Sequence, residues 1–244
     1  MTIRRVVRLI DPADVAEVVA QRLLDTIVDL QSSRDEVHLC LTGGDTANLM
    51  YERFASLAPG SNLDPTRIHL WWGDERFVPG TDPVRNSLQA IARLARTMTL
   101  RPDSIHMMAA QDGRADSHES AEEYERELGE VYFDVTLLGI GIDGHVASIF
   151  PDHPSFDASS RQVIGVTNSP KPPAERISLS LERLSRSAEI WFMATGASKG
   201  PAVARVLDED MSLPAAHPHG SDATYWFLDA TAASELPPSY KCAL

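Results

Sequence analysis

Apolar residues along the chain fall into short runs that alternate with longer amphipathic stretches, the pattern of strands followed by helices. Ile3 to Ile10 is rich in Val and Ile and predicts a first strand. Asp11 then offers a side-chain cap and Pro12 suits the first helical position. Val15, Val18, Val19, Leu23, Ile27 and Leu30 follow at helical spacing and form one apolar stripe. Val37 to Leu41 predicts a short strand that runs into Thr42-Gly43-Gly44-Asp45-Thr46 and a helix ending near Leu57. Ile68 to Trp72 predicts another strand, ending in Gly73-Asp74-Glu75-Arg76, and Asn86 to Met98 a helix. Asp116 to Glu130 predicts a helix with seven carboxylates and one arginine, most simply a solvated face. Val135 to Ile140 predicts a strand before Gly141-Ile142-Asp143-Gly144-His145. Beyond proline-rich loops, Ile177 to Leu181, Ile190 to Thr195 and Tyr225 to Leu228 predict the remaining strands. A helix is expected from Gly200 to Leu207 and a short one at Ala230 to Ser234.

Strands alternating with helices imply βαβ units and a largely parallel sheet, an α/β fold. In such sheets ligands bind beyond the carboxyl ends of the strands. Four strands end in polar, glycine-containing turns, so the chemistry is expected at residues 42–46, 74–76, 141–145 and 196–200.

With 244 residues and no internal repeat or flexible linker, the chain is expected to be one domain over 1–244. It has 22 basic and 35 acidic residues and a formal net charge of −13, without a long basic stripe. Nucleic-acid binding, which depends on neutralising phosphates, is therefore not expected. The longest clean apolar stretch, near Val135 to Ile142, is too short to span a bilayer. Asp11 and Pro12 interrupt any apolar leader core. Cys40 and Cys242 give neither a disulfide framework nor a zinc pattern. A soluble, cytoplasmic, reduced protein is expected. Only Lys171, Lys199 and Lys241 are lysine among the 22 cations. A lysine at a functional turn is therefore conspicuous.

Each turn admits two readings from its residues. Gly43 and Gly44 before a helix suit a phosphate cradle, since backbone N–H groups and the helix dipole favour an anion; a plain tight turn is the alternative. Gly139-Ile140-Gly141-Ile142-Asp143-Gly144 matches the dinucleotide pattern G-x-G-x-x-G, but Pro151 and Pro154 leave no room for the helix that pattern needs. His145, just after a strand-end turn, can serve as a general base or as a hydrogen-bonded structural histidine. Gly196-Ala197-Ser198-Lys199-Gly200 matches the G-x-S-x-G elbow of serine hydrolases. Only 44 residues follow Gly200, too few for the later strands that carry the acid and histidine of a typical hydrolase. The competing reading is a second phosphate turn with Lys199 as its point charge. Asp74 and Arg76 can orient a proton and grip an oxyanion, or form a surface ion pair.

Taken together and in order, these blocks resemble the glucosamine-6-phosphate isomerase/6-phosphogluconolactonase family over nearly the whole chain. Leu41 to Thr46 is similar to its first glycine turn. Trp71 to Pro79 is similar to its W-x-x-D-E-R-x-V-P segment, followed by Asn86-Ser87. Leu138 to Pro151 is similar to its signature L-G-x-G-x-D-G-H-x-A-S-L-F-P. Ser169 to Leu179, Gly196 to Lys199, His217-Pro218 and Leu228-Asp229 are similar to its later blocks. The resemblance implies a three-layer Rossmann-like sheet flanked by helices, without nicotinamide, other cofactor or metal. It implies hydrolysis of 6-phospho-D-glucono-1,5-lactone, a small sugar-phosphate lactone, to 6-phospho-D-gluconate in the oxidative pentose phosphate pathway. His145 would be the general base, with Asp143 beside it and Asp74 and Arg76 in the catalytic set. Gly43, Gly44, Thr46, Arg176 and Lys199 would surround the phosphate and the lactone. Which of Arg76 and Arg176 meets phosphate is open at this stage, as is the oligomeric state.

Two rivals share the fold. The isomerase branch carries a glutamate where this chain has Phe150, and its ring-opening chemistry relies on that acid. A sugar-phosphate sensor would come with a DNA-binding helix-turn-helix and a basic surface. The first strand begins at Ile3 and the net charge is strongly negative, so an enzyme is expected. Asp45 stands where relatives commonly have serine, and Ala47 where they often have proline. A carboxylate repels a phosphate, so Asp45 is expected to point away from the pocket and cap the following helix.

Overall fold

The computed structural model describes residues 3–157, 161–237 and 240. Lys241 and Cys242 lie outside the described residues. Strand β1 (Ile3–Leu9) leads into helix α1 (Pro12–Gln31). Asp11 caps α1 as its sequence position predicts, accepting from the amides of Ala13 and Asp14 at 2.8 and 3.0 Å. Then follow β2 (Val37–Leu41), α2 (Asp45–Leu57), β3 (Ile68–Trp72), β4 (Asp74–Arg76) and α3 (Asn86–Leu94). The second half supplies α4 (Ser117–Leu128), β5 (Phe133–Gly139), β6 (Val163–Val166), β7 (Arg176–Leu179) and the one-turn α5 (Leu181–Leu184). It closes with β8 (Ser187–Ala194), α6 (Gly200–Leu207) and β9 (Ala223–Asp229).

Six strands form one parallel sheet in the order β1-β9-β8-β5-β2-β3. Residues alternate across it because a strand has a side-chain period of two. Leu39, Leu41, Trp72, Val135, Leu137, Trp191 and Phe227 face α1, α2 and α3. Cys40, Trp71, Leu138, Ile190, Phe192 and Trp226 face the opposite layer of α4, α6 and a second sheet. This is the three-layer α/β arrangement. Strand order reverses between β2 and β5: from β2 the chain goes outward to β3, and from β5 it goes the other way through β8 to β9. Such a switch point opens a crevice at the carboxyl ends of the two strands. Among the described residues no helix is long and apolar enough to cross a membrane.

The second sheet corrects the sequence reading. Residues 74–76 form a strand, and Ile177 lies in an antiparallel strand outside the main sheet; β4, β7 and the unpredicted β6 pair as β4-β7-β6. Three- and four-residue strands carry too little periodicity to be read, and the partner of β4 lies far away in sequence, Asp74 standing opposite Ser178. Ala230 to Ser234 forms hydrogen-bonded turns on the Asp229 carboxylate rather than a helix. The acidic helix is not merely a solvated face. Tyr124 and Leu128 are buried beneath it, and Glu125 accepts the amide of Gln162 at the start of β6.

One buried carboxylate joins β4 to α3. Alternation in β4 puts Glu75 on the face away from Asp74 and Arg76, and Glu75 is fully buried. Its Oε1 accepts the amides of Arg76 and Asn86 at 2.9 and 2.7 Å. Its Oε2 accepts the amide and hydroxyl of Ser87 at 2.9 and 2.7 Å. The first turn of α3 has no cap from Arg85, so Glu75 satisfies its free N–H groups from a distant strand. The counter-charge is Arg85, itself buried, 3.7 Å away.

At the amino ends of β2 and β3, opposite the crevice, His38 and His69 stand in register and stack at 4.7 Å. His106 stacks on Trp71 at 3.7 Å, contacts His69 Nδ1 at 3.0 Å and Glu127 at 2.6 Å. Burial, then the neighbouring His69, push His38 below the ordinary histidine value of 6.5, against the pull of Asp134 and Glu36.

Two predictions follow from these buried groups. Glu75→Gln turns an amide against four donors, so the protein is expected to lose about 2–4 kcal/mol in denaturant unfolding; an unchanged midpoint would contradict the hub role of Glu75. A histidine held neutral in the fold takes its proton first in the unfolded chain. Stability is therefore present above the unfolded value and is lost as pH falls through it toward the folded value. Melting temperature is expected to fall on acidification just below pH 6.5, and less steeply in His38→Gln.

Candidate active site

A cleft of about 370 Å³ opens at the carboxyl ends of β2, β5 and β8, a size ordinary for a small-molecule site. Gly43, Gly44 and Thr46 line it, with Asp74, Arg76, His145, Arg176 and Lys199. Eight of the nine residues expected from sequence thus meet in one cavity. The ninth, Asp143, sits behind His145.

The dyad is built by a tight loop after β5. Gly141 donates its amide to the carbonyl of His145 at 2.9 Å, folding the chain back on itself. A Cβ on Gly141 would lie 1.8 Å from His145 Nδ1, so only glycine lets the imidazole close down. Asp143 Oδ1 lies 2.5 Å from His145 Nδ1. With Nδ1–H donated to Asp143, the lone pair is on Nε2, which makes no hydrogen bond among the described residues. Phe150, fully buried, packs its ring 4.8 Å from the imidazole. Partial burial alone would raise the Asp143 carboxyl, but the hydrogen bond and charge of His145, with the Lys171 ammonium, outweigh it. Together they hold it well below the usual carboxylate range.

On the facing wall the β2–α2 turn presents its amides. A Cβ on Gly43 would overlap Asn86 at 1.8 Å, so the turn and the α3 terminus interlock through that glycine. Gly44 is the N-cap of α2 and no side chain caps the helix, so the cap expected of Asp45 is absent, and Asp45 is among the cleft-lining residues rather than set apart from them as expected. Asp45 instead occupies the first helical position, exposed, in the cleft lining, where a carboxylate is favoured by the helix dipole. Thr46 Oγ1 lies 2.7 Å from Thr195 Oγ1, tying this turn to the one after β8. The buried Asp229 accepts the amide of Gly196 and fixes that second turn. Lys199 stands on it and donates to the carbonyl of Ile140 at 2.7 Å. Burial, then the Lys171 charge, lower its ammonium from the ordinary value.

The two arginines differ. Arg76 Nη1 donates to Val84 O at 2.6 Å and to Asn86 Oδ1 at 2.5 Å. Its Nε is buried without a partner among the described residues, and Nη2 makes no hydrogen bond there. Arg176 is buried and largely engaged: it donates to the carbonyls of Lys171, Pro172 and Pro173 at 2.9–3.2 Å. Asp74 is buried, and both its oxygens accept: Oδ2 from Ser148 at 2.7 Å, Oδ1 from Asn86 at 3.2 Å.

Sequence reasoning passed over Asn86, Ser148, Thr195 and Asp229 as site residues. Asn86, Ser148 and Asp229 fell within recognised blocks, which was a usable signal; Thr195 carried none beyond position. The serine-hydrolase elbow is not built. Ser198 is exposed, and its hydroxyl makes no hydrogen bond to a histidine or a carboxylate among the described residues. Among the described residues no group of three or more His, Cys, Asp or Glu is arranged to hold a metal ion.

The chain is 43% identical over 238 residues to a 6-phosphogluconolactonase of Streptomyces coelicolor, covering 92% of this chain and 91% of that one. It is 38% identical over 229 residues to a 6-phosphogluconolactonase of Mycobacterium leprae, covering 89% and 92%. The crystal structure of 6-phosphogluconolactonase from Thermotoga maritima superposes with a TM-score of 0.82 at 26% identity, covering 93% and 99%. The family model described as glucosamine-6-phosphate isomerases/6-phosphogluconolactonase matches residues 10–226, and the chain therefore belongs to that family.

Proposed function

We propose that the protein hydrolyses 6-phospho-D-glucono-1,5-lactone to 6-phospho-D-gluconate, with His145 as general base. The observation that carries this reading is the Asp143–His145 pair at 2.5 Å, beside a cleft lined by Arg76, Arg176, Lys199 and the glycine turn before α2. The names of the relatives support the substrate.

A lactone is an activated ester, so its hydrolysis needs a positioned base and a stabilised oxyanion, without a covalent nucleophile. His145 Nε2 takes a proton from water as the water oxygen bonds to the carbonyl carbon. Asp143 fixes the tautomer and shares the charge of the imidazolium that results. The tetrahedral anion then collapses, the bond to the ring oxygen breaks, and the imidazolium returns its proton to that oxygen. The product is an open-chain acid, and the base is restored.

The phosphate is placed between the two turns that Thr46 and Thr195 tie together. The amides at the start of α2 and the Lys199 ammonium would receive it. Arg76 has unengaged donors and is the arginine read as meeting the substrate; Arg176, committed to three carbonyls, is read as a strut. Asp74, bound at both oxygens, is read as the support that aligns Asn86 and Ser148. The isomerase alternative loses support at Phe150, because a buried aromatic ring stands beside the imidazole where that branch places a glutamate.

Replacing His145 with Gln is expected to lower kcat about 10²-fold or more, measured in a coupled assay corrected for spontaneous lactone opening. Normal turnover would remove the base from the mechanism. Lys199→Ala removes a charged contact worth about 1.5–3 kcal/mol, roughly tenfold to a hundredfold in KM with little loss of kcat. Equal kcat/KM on the unphosphorylated lactone would refute the phosphate site.

A further inference from the structure

Lys171 does not line the cleft, yet its ammonium reaches the reacting pair from behind. Nζ lies 3.2 Å from Asp143 Oδ1 and 2.9 Å from His145 Nδ1. That ring nitrogen therefore faces a carboxylate and an ammonium together. It serves only one of them at a time: carrying its proton it donates to Asp143, as a base at Nε2 requires, whereas accepting from Lys171 would put the proton on Nε2. Either way a cation sits within contact of the anion that would otherwise stabilise the imidazolium unopposed.

The ammonium is held in place although its side chain is half-exposed. Arg176 fastens the loop by donating to the carbonyls of Lys171 and Pro172 at 3.1 and 2.9 Å. Ser169 Oγ donates to Lys171 O at 3.0 Å and accepts its amide at 3.3 Å. The buried guanidinium of Arg176 thus positions Lys171 through the backbone. The other groups around the imidazole are few. Phe150 is apolar, Arg176 lies over the Phe150 ring at 5.7 Å, and Lys199 interacts electrostatically with both Lys171 and Asp143.

We propose that Lys171 is a positioning residue for the Asp143–His145 pair: held by the Arg176-fastened loop, it offsets the charge of Asp143 so that the imidazole releases at Nε2 the proton it has taken. A carboxylate at 2.5 Å favours the charged ring, and an ammonium in contact with both groups opposes that preference. The inference rests on reading His145 as the general base and adds to it a residue outside the cleft lining.

The test uses Lys171→Met and Lys171→Arg in the full chain. The titration of the His145 ring is followed by NMR without substrate, with the signal assigned from His145→Gln. In Lys171→Met the midpoint is expected to move to higher pH. The acid limb of kcat/KM moves with it, losing roughly three- to tenfold on the acid side, while KM stays within about twofold. Lys171→Arg restores most of both. An unmoved or lowered midpoint in Lys171→Met overturns the proposal, as does a raised KM with an unmoved midpoint, which would make Lys171 a substrate ligand. A midpoint that moves while the rate profile does not follow supports Lys171 as the positioner and instead sinks His145 as the base.

Discussion

The cleft depends on one buried carboxylate, Glu75, and on the rule that a buried acceptor must be fully satisfied. Four donors and the Arg85 guanidinium converge on it. They belong to β4 and to the first turn of α3, segments that diverge after β3 leaves the parallel sheet at Gly73. Because Glu75 holds them together, Asn86 is placed between Arg76 and Asp74, and the Gly43 turn closes on Asn86. The wall of the cleft is thus positioned by a group that never faces the cleft. Strand alternation makes this possible: one residue points into the hub while its two neighbours point at the substrate side.

A second constraint is electrostatic. The chain carries −13 charges overall, yet Arg76, Arg176, Lys171 and Lys199 gather about one cavity. Local fields at a cleft, rather than net charge, decide which ligand it gathers. The acid is displaced to surfaces such as the outer face of α4. Within the cleft the cations divide their labour by how many of their donors are already used. Arg176 spends its donors on three carbonyls and makes a loop rigid; Arg76 keeps two nitrogens unengaged; Lys199 makes a single bond to a carbonyl.

The turns after β2, β5 and β8 were legible from the sequence because each is a local event: an apolar strand runs out, and glycine admits a close approach or a sharp bend. So were the Asp11 cap, the amphipathic stripe of α1 and the clustering of His145, Asp143, Gly43 and Lys199 at one end of the sheet. The rarity of lysine also pointed toward Lys171 and Lys199. The small antiparallel sheet was not legible. Its strands are three or four residues long, too short for a period to announce them, and β4 pairs across roughly a hundred residues, Asp74 with Ser178.

By itself, then, the sequence determined the alternation of strands and helices, the parallel sheet and the candidate base, since periodicity and turn chemistry act between near neighbours. The tertiary structure decided which charges are free and which are committed. That Arg176 is a strut, that Asp45 caps nothing, that Glu75 is a hub and that Lys171 stands against the dyad depends on distances between residues far apart in the chain. Hydrogen-bond capacity is spent only when the sheet closes, and no spacing along the chain records how it is shared.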